Sequence, residues 1–229
     1  MKVSILLLTI NRYNLTREYV GRALDEAGVP FDLCITDNGS TEQNIFDWCE
    51  QRNPKVYNLN TSNQGTAQSL NRMIKQNPSD YYVFIGNDIE LPKNWLKKMV
   101  EYNEAIPQSG VIGIDWRGKK YPKREVNGLT IDETSNVFGT MFVSQATREK
   151  VGIFCEDYGP YGLWDSDYSI RCSAAGLINY YLPGLKSEHF GNDVGQKDEY
   201  RKMKDESLAK ASPIFNINRK RYEKGEWFI

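Results

Sequence analysis

The chain has 229 residues, of which 40% are hydrophobic and 12% aromatic, enough apolar matter to build a core and to exclude a disordered chain. Lys and Arg number 29 against 30 Asp and Glu, so no global charge draws the chain to nucleic acid or to an anionic membrane. No stretch approaches the roughly 18 unbroken apolar residues of a membrane span.

In chain order, "KVSILLLTINR" is a continuous apolar run with a polar end, the pattern of a strand buried on both faces. "NLTREYVGRALDEAG" follows as a helix that Asn14 or Thr16 can cap. Tyr19, Val20, Ala23, Leu24 and Ala27 fall on one stripe of it, and Gly28 ends it. "FDLCITDNGST" is a second strand entering a polar turn, "EQNIFDWCEQR" a helix and "KVYNLN" a short third strand. "SNQGTAQSLNRMIKQN" is a loop leading into a helix, "YYVFIGND" a fourth strand ending in acid, and "LPKNWLKKMVEYNEA" a helix with Pro92 in its first turn. The second half reads as the strand "GVIGIDW", a hairpin or excursion over "RGKKYPKREVNGLTIDETS", and a strand with a short helix in "NVFGTMFVSQATREKVG". The loop "EDYGPYG", the helix "WDSDYSIRCSAAG", the strand "INYYLPG" and "LKSEHFGND" come next. From Asn192 onward the chain reads as helical and then extended, ending in the basic and aromatic "INRKRYEKGEWFI". That end is a solvated tail or docking segment, with peripheral contact to lipid or a polyanion as its alternative.

Alternation of strand and helix is the signature of an α/β fold with a mostly parallel central sheet covered by helices. Ligands of such sheets bind beyond the carboxyl ends of the strands. The polar ends Asn11–Arg12, Asp37–Ser40 and Asn87–Glu90 are therefore expected on one rim. No repeat or linker divides the chain. A single domain is expected, with a nucleotide-type half over about 1–115, an acceptor-type half with a smaller β element over about 116–191, and the tail over 192–229. Cys34, Cys49, Cys155 and Cys172 lack CxxC spacing and read as reduced core thiols. Val3 to Ile10 lacks the flanks of a signal peptide, and a cytoplasmic protein is expected.

Two places carry chemistry. Asp88 and Glu90 sit where an apolar strand runs out, a position that suits a hard cation such as Mg²⁺ or Mn²⁺; a helix cap is the alternative. The single histidine, His189, is either a structural side chain or the completion of a metal site. In "WDSDYSIRCSAAG", Asp167 and Arg171 are spaced i,i+4 and can pair, while Tyr168, Cys172 and Ala175 share a stripe toward the core. Asp165 falls at or before the first turn and points into the loop, as a cap or as a chemical group.

Six stretches in one order, "VSILLLTINR", "CITDNGSTE", "NTSNQGTAQSLNRMI", "FIGNDIELPKNWL", "WDSDYSIRCSAAG" and "EHFG", make the sequence resemble a family 2 glycosyltransferase of the GT-A fold from Val3 to about Gly191. The resemblance implies transfer of a sugar from a nucleotide-diphosphate donor, UDP-linked by expectation, with a divalent cation, Mn²⁺ or Mg²⁺. It places Thr9 and Asn11 beside the nucleotide and gives Asp37 the base, since a carboxylate accepts the N3–H of uracil. Asn63, Gly65 and Asn71 match a stretch that lines the nucleotide pocket. The family's D-x-D motif falls on Gly86-Asn87-Asp88. Asp88 is then a metal ligand, with Gly86 in place of the first acid, and His189 matches a late histidine at the metal or diphosphate.

The E-D-x-D motif falls on the opening of the later helix, with Trp164 in place of the glutamate and Asp165 as the catalytic base that deprotonates the acceptor in an inverting displacement. Tyr158, Tyr161 and Trp164 are candidates to stack on an acceptor sugar, core packing being the alternative. Glycan, lipid-linked sugar, protein and small-molecule acceptors all stay open, and the charge balance argues against nucleic acid. A nucleotidyltransferase is a competing reading, although "LLTINRYN" lacks the glycines of a phosphate loop. A non-catalytic module that binds sugar or nucleotide is another.

Overall fold

The computed structural model describes residues 1–190 and 198–228. Gly191, the last residue of the resemblance, and residues 192–197, where the C-terminal segment begins, lie outside the described residues.

The centre is a nine-stranded sheet. Its parallel part holds β1 (Val3–Thr9), β2 (Asp32–Asp37), β3 (Val56–Leu59) and β4 (Tyr81–Gly86) in the order β3-β2-β1-β4. All seven residues of β1 are buried. The pleat sends Val3, Ile5 and Leu7 into one apolar cluster and Leu6 and Leu8 into another, so each face of the strand meets its own layer. That is the physical content of an unbroken apolar run.

Beyond β4 the sheet continues through β9 (Met141–Ser144), β6 (Ser109–Asp115), β10 (Ile178–Lys186), β8 (Leu129–Glu133) and β7 (Lys123–Val126). β9 runs antiparallel to both β4 and β6, β6 and β10 are parallel, and β7–β8 is the hairpin read in the sequence, turning at Asn127-Gly128. A separate two-stranded sheet joins β5 (Ile89–Glu90) to β11 (Glu188–His189), pairing Ile89 with His189.

The first helical stretch differs from its reading. α1 (Tyr13–Leu15) passes through a π-helical turn, Thr16–Val20, into α2 (Gly21–Asp25). Neither Asn14 nor Thr16 caps it. The Glu42 carboxylate instead accepts from the N–H groups of Arg12 (3.2 Å) and Tyr13 (2.9 Å). Of the expected stripe, Val20, Ala23, Leu24 and Ala27 are buried, while Tyr19 is half-buried and stacks on Phe190.

α3 (Gln43–Gln51) and α4 (Thr66–Gln76) follow β2 and β3. α5 (Trp95–Ala105) begins after Pro92, not around it. Asn94 is left-handed (φ 61), and its N–H donates to Glu26 O. That break in path turns the buried Trp95 so that its indole N–H reaches Ala23 O at 2.8 Å.

α6 (Gln145–Val151) is capped by Ser144, whose Oγ accepts from Thr147 N. α7 (Trp164–Ala174) leads into β10, and α8 (Asp198–Tyr222) lies against α7 and the loop before it, with Ala211, Ile214 and Phe215 beside Cys155, Tyr158 and Trp164. All four cysteines are free and buried, which raises the pKa of each thiol; Cys34 is pushed up to about 11. Among the described residues no helix is long and apolar enough to cross a membrane.

Candidate active site

A cleft of about 410 Å³ opens beyond the carboxyl ends of β1 and β4, within the range of small-ligand sites. Thr9, Asn63, Asn87 and Asp88 line one side. Tyr161, Trp164 and Asp165 line the other, at the start of α7, and His189 enters from β11. Eight residues singled out from the sequence thus meet in one place.

Asp88 is half-buried and carries two partners. Its Oδ2 pairs with the Arg12 guanidinium, and its Oδ1 lies 3.5 Å from His189 Nε2. The other ring nitrogen, His189 Nδ1, is buried without a hydrogen-bond partner among the described residues, and the ring packs against Trp116 with centroids 5.0 Å apart. The β5–β11 pairing explains this convergence, because it carries the Asp88 and His189 segments side by side, and Phe190 N donates to Asp88 O at 2.9 Å. Gly86 lies close beneath: a Cβ there would stand 3.1 Å from Asp88 Oδ1.

The described residues contain no group of three or more His, Cys, Asp or Glu able to enclose a metal. One carboxylate with one imidazole fits a hard cation that keeps phosphate oxygens for most of its shell, as Mg²⁺ does, and does not make an all-protein cage.

Asp165 sits in the first turn of α7, after Leu163 in the left-handed region (φ 58). Its Oδ1 accepts from Ser166 N at 2.7 Å. Burial against the aromatic wall raises its pKa to about 6, outweighing the hydrogen bonds from Ser166 and the nearby Arg117 charge, which lower it. The pull of the helix N-terminus toward a weaker base is thereby overcome. A carboxylate with a pKa near 6 is ionised at neutral pH and still basic enough to take a proton. Trp164 forms the wall beside it, edge-on to Phe84 and Phe154 at 5.2 and 5.6 Å.

Asp167 does different work. Its Oδ2 takes Arg171 Nε at 2.8 Å, both side chains fully buried, and its Oδ1 takes the hydroxyls of Tyr158 and Tyr222, each at 2.6 Å. Arg171 also donates to the carbonyls of Val151 and Ile153. The pairing read from i,i+4 spacing is present, and it is the centre of a larger network.

Five expected residues are not in the cleft. Asp37 is fully buried, and each carboxylate oxygen already accepts two hydrogens: Oδ1 from Gly39 N and Ser40 N, Oδ2 from Thr9 Oγ1 and Ser40 Oγ. Without a ligand, the carboxylate is thus engaged within its own strand-end turn. Asn11 uses its Oδ1 on Thr41 and Glu42 N–H groups and ties the end of β1 to the next turn. Gly65 is buried against the loop, where a Cβ would come within 2.9 Å of Gly159 O. Asn71 faces away: its amide donates to Phe154 O and Glu156, and its Oδ1 accepts from Phe154 N. Tyr158 is 3% exposed and spends its hydroxyl on Asp167, so it offers no face to a sugar.

The sequence model described as glycosyl transferase family 2 matches residues 4–157. The chain belongs to this family. A curated relative, an uncharacterized glycosyltransferase of Rickettsia bellii, is 27% identical over 127 residues, 52% of this chain and 18% of that protein; the chain thus spans less than a fifth of this relative. Among solved structures, a mannosyltransferase of Pyrobaculum calidifontis, in complex with GDP-Man and Mn²⁺, superposes with a TM-score of 0.66 at 18% identity, covering 93% of this chain and 64% of that one. TarS of S. aureus, residues 1–349, gives 0.62 at 18% identity over 93% and 71%. GalNAc-T7 with UDP, GalNAc and Mn²⁺ gives 0.65 at 10% identity over 82% and 44%. These likenesses establish a shared GT-A architecture.

This family 2 chain also lines its cleft with residues that sequence reasoning passed over: Asn38, Thr66, Trp116, Phe138, Lys204 and Leu208. Asn38 and Thr66 lie in stretches already marked by the family pattern. Lys204 and Leu208 come from α8, whose polar sequence carries no signal of a site.

Proposed function

We propose that this glycosyltransferase moves a sugar from a nucleotide-diphosphate donor to an acceptor hydroxyl by a single inverting displacement. The observation that carries the reading is the convergence, in one cleft at the strand ends, of the Asp88–His189 pair with Asp165 across from it. Asp165 takes the proton of the attacking hydroxyl at its carboxylate, and its raised pKa fits that task. Trp164 and Tyr161 shape the acceptor side and exclude water from Asp165. Asp88 and His189 would hold a divalent cation, which when bound neutralises charge on the leaving diphosphate.

UDP is the first nucleotide to test, because TarS has been solved with UDP and with UDP-GlcNAc and GalNAc-T7 with UDP; GDP follows from the mannosyltransferase. Asn38 and Asn63 line the cleft wall where the base would lie. The acceptor is a sugar, lipid-linked sugar, protein or small molecule presented on the side of Trp164.

The test is titration of wild type and Asp165→Asn with UDP, GDP, CDP and dTDP, each with and without Mn²⁺, alongside transfer or hydrolysis of the matching nucleotide sugar. Binding of one nucleotide should be kept in Asp165→Asn while turnover falls by about 10²–10⁴-fold. Equal loss of binding and turnover would remove Asp165 from the role of base.

A further inference from the structure

A second cavity, of about 1000 Å³, lies toward the other end of the strands from the cleft, and among the described residues the two share no lining side chain. It sits between α4 and α6, where Lys2 and Asp80 stand just ahead of β1 and β4. Its volume is at the top of the range for small-molecule sites. Its apolar lining includes Tyr82 and Ile74, both buried, and Ile153, which is 41% exposed.

The charged lining is one-sided. Lys2, Arg72, Lys75 and Arg148 have only Asp80 and Glu156 against them, an excess of two positive charges. Asp80 already faces the N-terminal amine at 3.7 Å, and Glu156 takes the Asn71 amide at 2.8 Å. Lys2 lies 3.4 Å from Asp32, which is not part of the lining. Among the described residues Arg72, Lys75 and Arg148 have no ion-pair partner.

A solvated face of α4 accounts for Arg72 and Lys75, but not for Arg148. That side chain comes from α6 and is half-buried. Its guanidinium lies 5.2 Å from the centre of the Tyr82 ring, and Nη1 donates to Gln145 Oε1 at 3.1 Å. Its Nε is buried with no hydrogen-bond partner among the described residues. Tyr82 is itself fixed, since its hydroxyl accepts from Ser79 N at 2.8 Å. A cation from a second helix is thus held in place, partly stripped of water, and given no counter-charge. Such a charge costs free energy, which an anion in the cavity offsets.

We propose that this cavity is a second binding site, for a small phosphomonoester whose phosphate is joined to an apolar group. A phosphomonoester carries about −1.5 to −2 charges at neutral pH, which matches the excess of two. Guanidinium and ammonium groups both suit its oxygens. The apolar part meets Ile153 and Ile74. A membrane surface fits less well, because one exposed isoleucine falls short of the apolar area or second signal that stable attachment needs. The site does not depend on the nucleotide-sugar reading of the cleft.

The experiment is calorimetric titration of the full chain with phenyl phosphate and with inorganic phosphate, for wild type, Arg148→Gln, Lys75→Gln and Ile153→Ser. Wild type should bind phenyl phosphate about five-fold or more tightly than inorganic phosphate. Arg148→Gln should weaken phenyl phosphate by about ten-fold or more, and Lys75→Gln, at an exposed position, by about three-fold. Ile153→Ser should bring the two ligands to within about two-fold of each other. Wild type that binds neither ligand, or binds both equally, overturns the proposal. Phenyl phosphate affinity within about two-fold of wild type in both Arg148→Gln and Lys75→Gln overturns it as well. So does wild type that sediments with phosphatidylglycerol vesicles and does not bind phenyl phosphate, since the cavity would then serve a membrane.

Discussion

On α7, Asp167 accepts three hydrogen bonds from three different parts of the chain and sees no solvent, whereas Asp165, two residues earlier, accepts one from its neighbour and faces a cleft. Both carboxylates are poorly hydrated. The difference is what replaces the water. Around Asp167 a guanidinium and two hydroxyls do so completely, and the charge is stabilised where it stands. Around Asp165 aromatic surface does so in large part, and the carboxyl pKa is raised. Residue type and helix position are the same to within about half a turn, so the difference is set by surroundings.

The comparison breaks most visibly at Asp167. Asp167→Asn leaves Arg171 buried without its counter-charge, a change that costs about 3–5 kcal/mol. For a chain of this size that lowers Tm by about 6–20 °C, read by a thermal melt. Tyr222→Phe removes one donor from the same carboxylate and leaves its oxygen short of a partner, for about 1–3 kcal/mol in urea unfolding.

Asp165→Asn changes stability in the opposite sense. The folded-state pKa of Asp165, about 6, lies above the ordinary value of about 3.9. Between those values the folded protein holds a proton that the unfolded chain has lost, so this group's contribution falls as pH rises from about 4 to about 6 and stays low above that. Asp165→Asn should therefore gain stability relative to wild type as pH is raised from 4.5 to 7. A constant difference across that range would show that Asp165 is not desolvated. Urea midpoints at the two pH values decide it.

The strands with continuous apolar runs were legible because burial on both faces leaves no alternation to confuse with a helix, and their polar ends did gather on one rim. The pair at Asp88 and His189 was legible only through order along the chain, since the contact depends on β5 pairing with β11 across about 100 residues. Three of the expected residues stand outside the cleft for plain geometric reasons. Asn71 lies five residues beyond the cleft-lining Thr66, which turns it about 140° around α4 and away from the site. Asp37 looks reactive in one dimension, and only the fold brings Thr9 and Ser40 to use up its oxygens. Tyr158 and Tyr161 sit in the same loop, but the first turns inward to Asp167. Lys204 was invisible because nothing in a polar helix tells which of its faces will meet the cleft.

The bond from Tyr222 to Asp167 joins the last turn of α8 to the helix that bears Asp165. During synthesis, β1 to β4 and their helices leave the ribosome long before Tyr222 does, and domains fold from the N-terminal end as they emerge. A nascent chain therefore builds its strand-end rim first and keeps the Asp167 carboxylate short of one partner until Tyr222 has emerged. Assembly of the cleft therefore waits on the emergence of α8, and a chain cut short before residue 222 carries the rim while α7 lacks the bond from Tyr222 to Asp167.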